Sequence, residues 1–348
     1  MLLVPASLYV FSWVHRVAPA VVAADLMRAF SITAAALGNL AAIYPYVFAA
    51  MALVAGSLAD TLGPRWTLAL LVDAVGWRHT FVVIGGVTLV LAAGAGGLIR
   101  DRPEAMGLAP VNPEHARRSV PTLRAVLQGV PEVIRNPRTW PPILAACGIY
   151  TTFITFLGLW GVPYLTQVYG LTRVSAAAVV STLAVGTAIG SPAVGWLSDR
   201  WLRRRRLPMV AFAALYAVCW IALVLPADAR LPVPWLIPFF LVMGLAASGL
   251  VLVWSSVREV NDPARVGIAL GFCNVPIFLG VALLQWLTGV ILDAKWTGLA
   301  TGGARHYPPQ AYQAAFAVCL VIAAGGLGAA LLVTETRCRN VWRPAEPS

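Results

Sequence analysis

The sequence predicts an all-α polytopic membrane protein, a helical bundle in two parts. Three observations lead there. Of 348 residues, 59% are hydrophobic and only 11% charged, whereas a soluble protein carries about 25% charged residues. The apolar residues form runs long enough to cross a hydrocarbon core of about 30 Å, which takes about 20 helical residues. Most of the 25 Lys and Arg sit in short loops between those runs. That placement is the signature of cytoplasmic loops, so the net charge of +11 marks orientation and excludes a nucleic-acid-binding face.

The first span covers Leu2 to Ala24 and the second Thr33 to Leu58, followed by a turn with Asp60, Gly63 and Arg65. Thr67 to Val75 is apolar but short and contains Asp73; Gly76-Trp77-Arg78-His79 breaks it, and a full span runs from Phe81 to Ile99. Residues 1–99 thus form a short N-terminal membrane part. A hydrophilic connector, 100–138, follows, and its stretch from Leu123 to Ile134 has the pattern of a surface amphipathic helix. Six spans fill 139–334: Trp140 to Tyr164, Val174 to Leu197, Leu207 to Leu225, Leu231 to Val257, Val266 to Leu292 and Ala311 to Val333. A polar tail, 335–348, ends the chain. The count is about nine full spans and one fragment.

Placing the arginine-rich loops and the C-terminus in the cytoplasm orients the last six spans. The first part leaves two solutions. Arg65 inside and Arg78 outside require the residues between them to cross, and as a helix they reach only about 20 Å. Either a short helix crosses a thinned bilayer or the first hairpin inserts the other way round.

Two stretches stand out. Gly195 to Arg206 reads G-W-L-S-D-R-W-L-R-R-R-R, and Gly56 to Trp66 reads G-S-L-A-D-T-L-G-P-R-W. Each closes an apolar run with Gly-x-x-x-Asp and then arginine, the mark of an internal repeat. On these motifs, the long connector and the six final spans, the chain resembles the major facilitator superfamily. Gly56, Asp60, Gly63 and Arg65 are similar to that family's loop between helices two and three. Gly195, Asp199, Arg203 and Arg204 are similar to the loop between helices eight and nine, with Leu202 in place of the second glycine. The resemblance implies twelve helices in two halves, alternating access, and a cytoplasmic gate built from these eight residues. It also implies that most of helix three, helix four and most of helix five are missing between Leu71 and Gly76. Arg205 and Arg206 read as purely topogenic charge.

Arg16 lies deep in span one, where an unpaired cation costs at least about 2.5 kcal/mol, so it faces a polar cavity or snorkels to the interface. Tyr9, His15, Arg16 and Pro19 resemble the first helix of anion-carrying members, organophosphate and sugar-phosphate exchangers among them. Those exchangers carry a second arginine in helix seven; Trp140 to Tyr164 holds no cation, a departure from their pattern. Arg16, His15, Tyr44, Tyr150, Trp160 and Asn274 are the candidate substrate-binding residues. Thr151, Thr155 and Gln285 belong to a wider set of uncharged polar groups that either line a cavity or bind neighbouring helices.

The partners expected are a small solute, anionic on the strength of Arg16, a coupling proton as one option, and the lipid bilayer around a monomer in a bacterial inner membrane. No carboxylate lies mid-span in the last six spans, which gives exchange or facilitated diffusion the same weight as proton symport. The other reading is a truncated, non-transporting or sensor-like product. No nucleotide loop, metal-type cysteine spacing or nucleophile triad points to an enzyme, and no cofactor is expected. The five cysteines are odd in number and scattered, as structural thiols are.

Overall fold

A computed structural model describes residues 33, 35–37, 123–226, 230–301 and 304–343. The candidate residues His15, Arg16, Tyr44, Gly56, Asp60, Gly63 and Arg65, the first-part spans and the join between helices three and five lie outside the described residues.

Helix α1, Leu123–Arg135, is the amphipathic helix expected of the connector. It lays Val130 and Val133 on the start of a spanning helix, and Glu132 forms an ion pair with Arg265. Six helices are long and apolar enough to cross a membrane: α2, Pro137–Tyr169; α3, Arg173–Leu202; α4, Arg206–Val224; α5, Val233–Val260; α6, Pro263–Ala294; and α7, Pro309–Leu331. They correspond one for one to the six spans expected from the sequence. Besides helices, the described residues hold only a two-residue hairpin, Ala300–Thr301 paired antiparallel with Ala304–Arg305, after α6.

Local chemistry sets the ends. Asn136 accepts from the Arg138 amide, with Pro137 just behind it, and so starts α2. Gly170, at φ 69°, closes α2 in the left-handed conformation, which glycine adopts without a steric penalty. The Thr172 hydroxyl caps α3 through the Ser175 amide.

Helix α2 is the axis of the bundle: 89% of its most apolar stretch is buried, against 28% for α3. Phe156 of α2 is its aromatic hub, with ring centroids of Trp220, Phe240 and Phe316 at 6.0, 5.3 and 5.4 Å. Helices α3 and α5 pack closely along their length, as do α4 and α7. Glycine makes the first pair possible. A Cβ at Gly186 would lie 2.1 Å from the Leu241 carbonyl oxygen, and one at Gly244 would lie 1.9 Å from that of Leu183. Lipid offers no hydrophobic drive between helices, so such close backbone approach supplies much of their attraction. All five cysteines are free; Cys219, Cys273 and Cys319 are buried in the bundle.

Candidate functional site

The arginine block at the end of α3 folds back on itself. The last turn of α3, Leu197–Leu202, widens to π geometry, and Arg203 reverses the chain at φ 49°. Ser198 locks the reversal: its carbonyl accepts from the Arg204 amide, and its hydroxyl donates to the Arg204 carbonyl at 2.8 Å. Arg205 is thereby turned inward while Arg200, Arg203, Arg204 and Arg206 remain exposed.

The buried Arg205 guanidinium meets Glu259 at the end of α5. Its Nε lies 3.1 Å from both carboxylate oxygens and its Nη2 lies 2.7 Å from Oε1. Nη1 donates to Ser198 Oγ and to Asp199. Thr336, beyond α7, donates its hydroxyl to Glu259. Glu335 accepts from the amides of Arg205 and Arg206, placing a carboxylate on the positive end of α4. Burial works against the Arg205 charge, yet the bonds to Glu259 and Asp199 outweigh it and raise its pKa. One cluster thus joins the ends of α3, α4, α5 and the segment after α7.

Of the gate residues expected in this half, Asp199 enters the cluster, whereas the Arg203 and Arg204 side chains do not. Arg205, expected to be topogenic only, takes the inward position; the left-handed Arg203 decides which arginine of the run turns in. Nothing lies within 4 Å of a Cβ built at Gly195, so no close approach requires glycine there. Glu259, Glu335 and Thr336 were missed. Their signal was the presence of two carboxylates at the ends of apolar runs in an otherwise basic setting.

At the opposite end, Asp293 closes α6. Its Oδ2 accepts from the Ala35 amide at 2.7 Å, across 258 positions of sequence. Its Oδ1 accepts from Tyr307 Oη at 2.9 Å and Arg305 Nη1 at 3.1 Å. Arg305 also stacks over Trp296, and Gln167 at the end of α2 accepts from the Tyr307 amide. Thr33 caps the same short turn through the Ala36 amide. Among the described residues, this is the polar contact that ties the N-terminal segment to the six-helix bundle.

Within the membrane part, the three candidate substrate residues that the structure describes lie apart in role. Trp160 is buried and donates to Thr288 Oγ1 at 2.9 Å, a bond between α2 and α6. Asn274 is half-buried and donates to its own helix at Leu270 O. Tyr150 is buried edge-on to Phe278, with centroids 5.5 Å apart. The hydroxyls of Thr151 and Thr155 and Oε1 of Gln285 are buried and have no hydrogen-bond partner. Among the described residues, no group of three His, Cys, Asp or Glu is placed to hold a metal ion.

Comparison with known proteins fits this architecture. The chain is 26% identical over 245 residues to the membrane sensor protein UhpC of Escherichia coli, covering 64% of this chain and 52% of that protein. It is 24% identical over 259 residues to a probable hexose phosphate transport protein of Chlamydia pneumoniae, covering 66% of this chain and 54% of that one. The chain therefore spans about half the length of the curated relatives it matches. A bacterial homolog of the human lysosomal transporter Spinster, solved inward-facing and unoccupied, superposes with a TM-score of 0.60 at 14% identity, over 99% of this chain and 98% of that one. The family model described as Major Facilitator Superfamily matches residues 68–257 and 161–346, and with six packed spanning helices behind that match, the chain belongs to this superfamily of multi-pass membrane proteins.

Proposed function

We propose that the protein carries a small polar organic anion, of the sugar-phosphate class, across the membrane by alternating access. The observation that carries this reading is the pair of polar junctions at opposite ends of the bundle. The Arg205–Glu259 cluster braces the ends of three spanning helices, and the Asp293 junction holds the N-terminal segment at the other end. Contacts of this kind hold rigid helical bodies in one arrangement and exchange when the bodies rock. The arginine-rich end, with the C-terminal tail, is the cytoplasmic one by the positive-inside rule. The described spans hold no mid-span cation, so Arg16 is the group that meets the anionic part of the solute.

Uptake of radiolabelled glucose 6-phosphate into proteoliposomes tests the reading. The native chain accumulates or exchanges the label, and Arg16→Ala loses at least about tenfold of that flux while still inserting. Normal flux in Arg16→Ala removes Arg16 from the site, and a wild-type chain that moves no label removes the transport reading.

Two relatives named as membrane sensors favour one further reading, a sensor that binds a solute without moving it. Saturable glucose 6-phosphate binding without counterflow would select it.

A further inference from the structure

Helices α2 and α6 run side by side in the same direction, and three contacts fix their register. Tyr150 faces Phe278, the Thr151 hydroxyl lies 2.8 Å from where a Cβ on Gly280 would stand, and Trp160 binds Thr288. Between those points the register brings Thr155 level with the turn of α6 that carries Gln285. Thr151, Thr155 and Gln285 are 2%, 1% and 4% exposed, and the three polar atoms named above find no partner.

Their isolation is unusual for this bundle. The hydroxyls of Thr152, Thr187, Ser191 and Thr288 each return a bond to a carbonyl one turn back. Leaving a buried polar atom unpaired costs free energy, and such atoms in a folded chain call for an explanation. The backbone departs from ideal geometry at the same place. Helix α2 widens to π geometry at Cys147–Thr151 and again at Phe156–Trp160, bracketing the short α segment that ends at Thr155. Single π turns recur at functional sites because they re-aim side chains and loosen the backbone ladder.

We propose that Thr151, Thr155 and Gln285 form a subsite for the uncharged, hydroxyl-bearing part of the carried solute. This rests on the solute-carrier reading above and deepens it. Gln285 Oε1 accepts a solute O–H, and each threonine hydroxyl both donates and accepts. No Lys or Arg lies between Trp140 and Tyr169 or between Val266 and Ala294, so the subsite is neutral and recognises a polyol face, with the charged group met elsewhere. A buried site that hydrogen-bonds a hydroxyl discriminates strongly against an analogue lacking it.

The test uses the purified full chain in nanodiscs, with glucose 6-phosphate and inorganic phosphate as probes and a thermal melt beside each titration. Thr155→Val and Gln285→Leu should each weaken glucose 6-phosphate about 3- to 10-fold, leave phosphate binding unchanged, and keep or raise the melting temperature. Thr288→Val, which removes the partner of Trp160, should lower the melt and so marks the behaviour of a bond internal to the fold. Unchanged glucose 6-phosphate affinity in both subsite variants overturns the proposal and leaves an enclosed water as what those atoms hold. Melts that fall as in Thr288→Val overturn it too, since the groups then serve packing. Binding of phosphate alone by the native chain removes the subsite but keeps the anion reading; binding of neither probe removes both.

Discussion

Arg205 grips Glu259 with two nitrogens, Nε at 3.1 Å from each carboxylate oxygen and Nη2 at 2.7 Å from one, and both side chains are 5% exposed. A buried pair of this kind gains little over an apolar pair of equal volume, but removing one partner strands a charge, at about 3–5 kcal/mol. Arg205→Met should therefore lower the melting temperature sharply, and Arg205→Met with Glu259→Leu should recover much of the loss. Equal destabilisation by the single and the double variant would show that the pair is not the source of the effect.

Asp199, by contrast, donates its acceptor to the same guanidinium from an exposed position. Screening by solvent leaves an exposed ion pair little weight. Asp199→Asn should leave the melt within about 1 °C of native, while altering flux if the junction exchanges during transport. Loss of the fold in Asp199→Asn would mean that the cluster depends on this carboxylate for stability and not for exchange.

At the other end, Asp293 joins the Ala35 amide to Arg305 and Tyr307. Asp293→Ala removes the acceptor of all three and should free the N-terminal segment. A cysteine placed at Thr33 in a background without native cysteines should then react faster with a membrane-impermeant maleimide, by about fivefold or more. Asp293→Asn keeps an acceptor at the helix start and should restore most of the protection. Unchanged labelling in Asp293→Ala would mean that the segment is held by the buried Leu37 and not by the carboxylate.

The fold was legible because lipid simplifies the code. Apolar length and arginine placement were enough to find all six described spans and the amphipathic α1, since helices are the only open-ended way to satisfy backbone groups in hydrocarbon. The candidate site was legible only in part. Asp199 could be found from its spacing after Gly195, but a run of four arginines does not disclose which one turns inward. That depends on the backbone reversal at Arg203 and on Ser198, whose bonds form only once the loop has closed. Trp160 and Asn274 show the converse: polar groups inside a span signal a need for a partner, and whether the partner is a neighbouring helix or a solute is set by packing that sequence spacing does not encode. For Thr151 and Thr155 the sequence showed the polar groups, while the π turns beside them appear only in the folded helix.

Gly186 and Gly244 allow a last prediction, because Gly195 supplies its control on the same helix. At 186 and 244 a side chain would overlap the carbonyls of Leu241 and Leu183, both backbone atoms that cannot swing aside. Helices α3 and α5 must then separate, losing contact along their whole shared length. Overpacking costs about 1–3 kcal/mol even where side chains can adjust, so Gly186→Val or Gly244→Val should exceed that range and leave little folded protein after detergent extraction. Gly195→Ala meets open space and exchanges glycine for a better helix former, so it should keep or raise the melt by a few tenths of a kcal/mol, up to about 1. Size-exclusion profiles of the three variants decide it. Intact folding in both valine variants would mean that α3 and α5 do not approach as closely as their glycines permit.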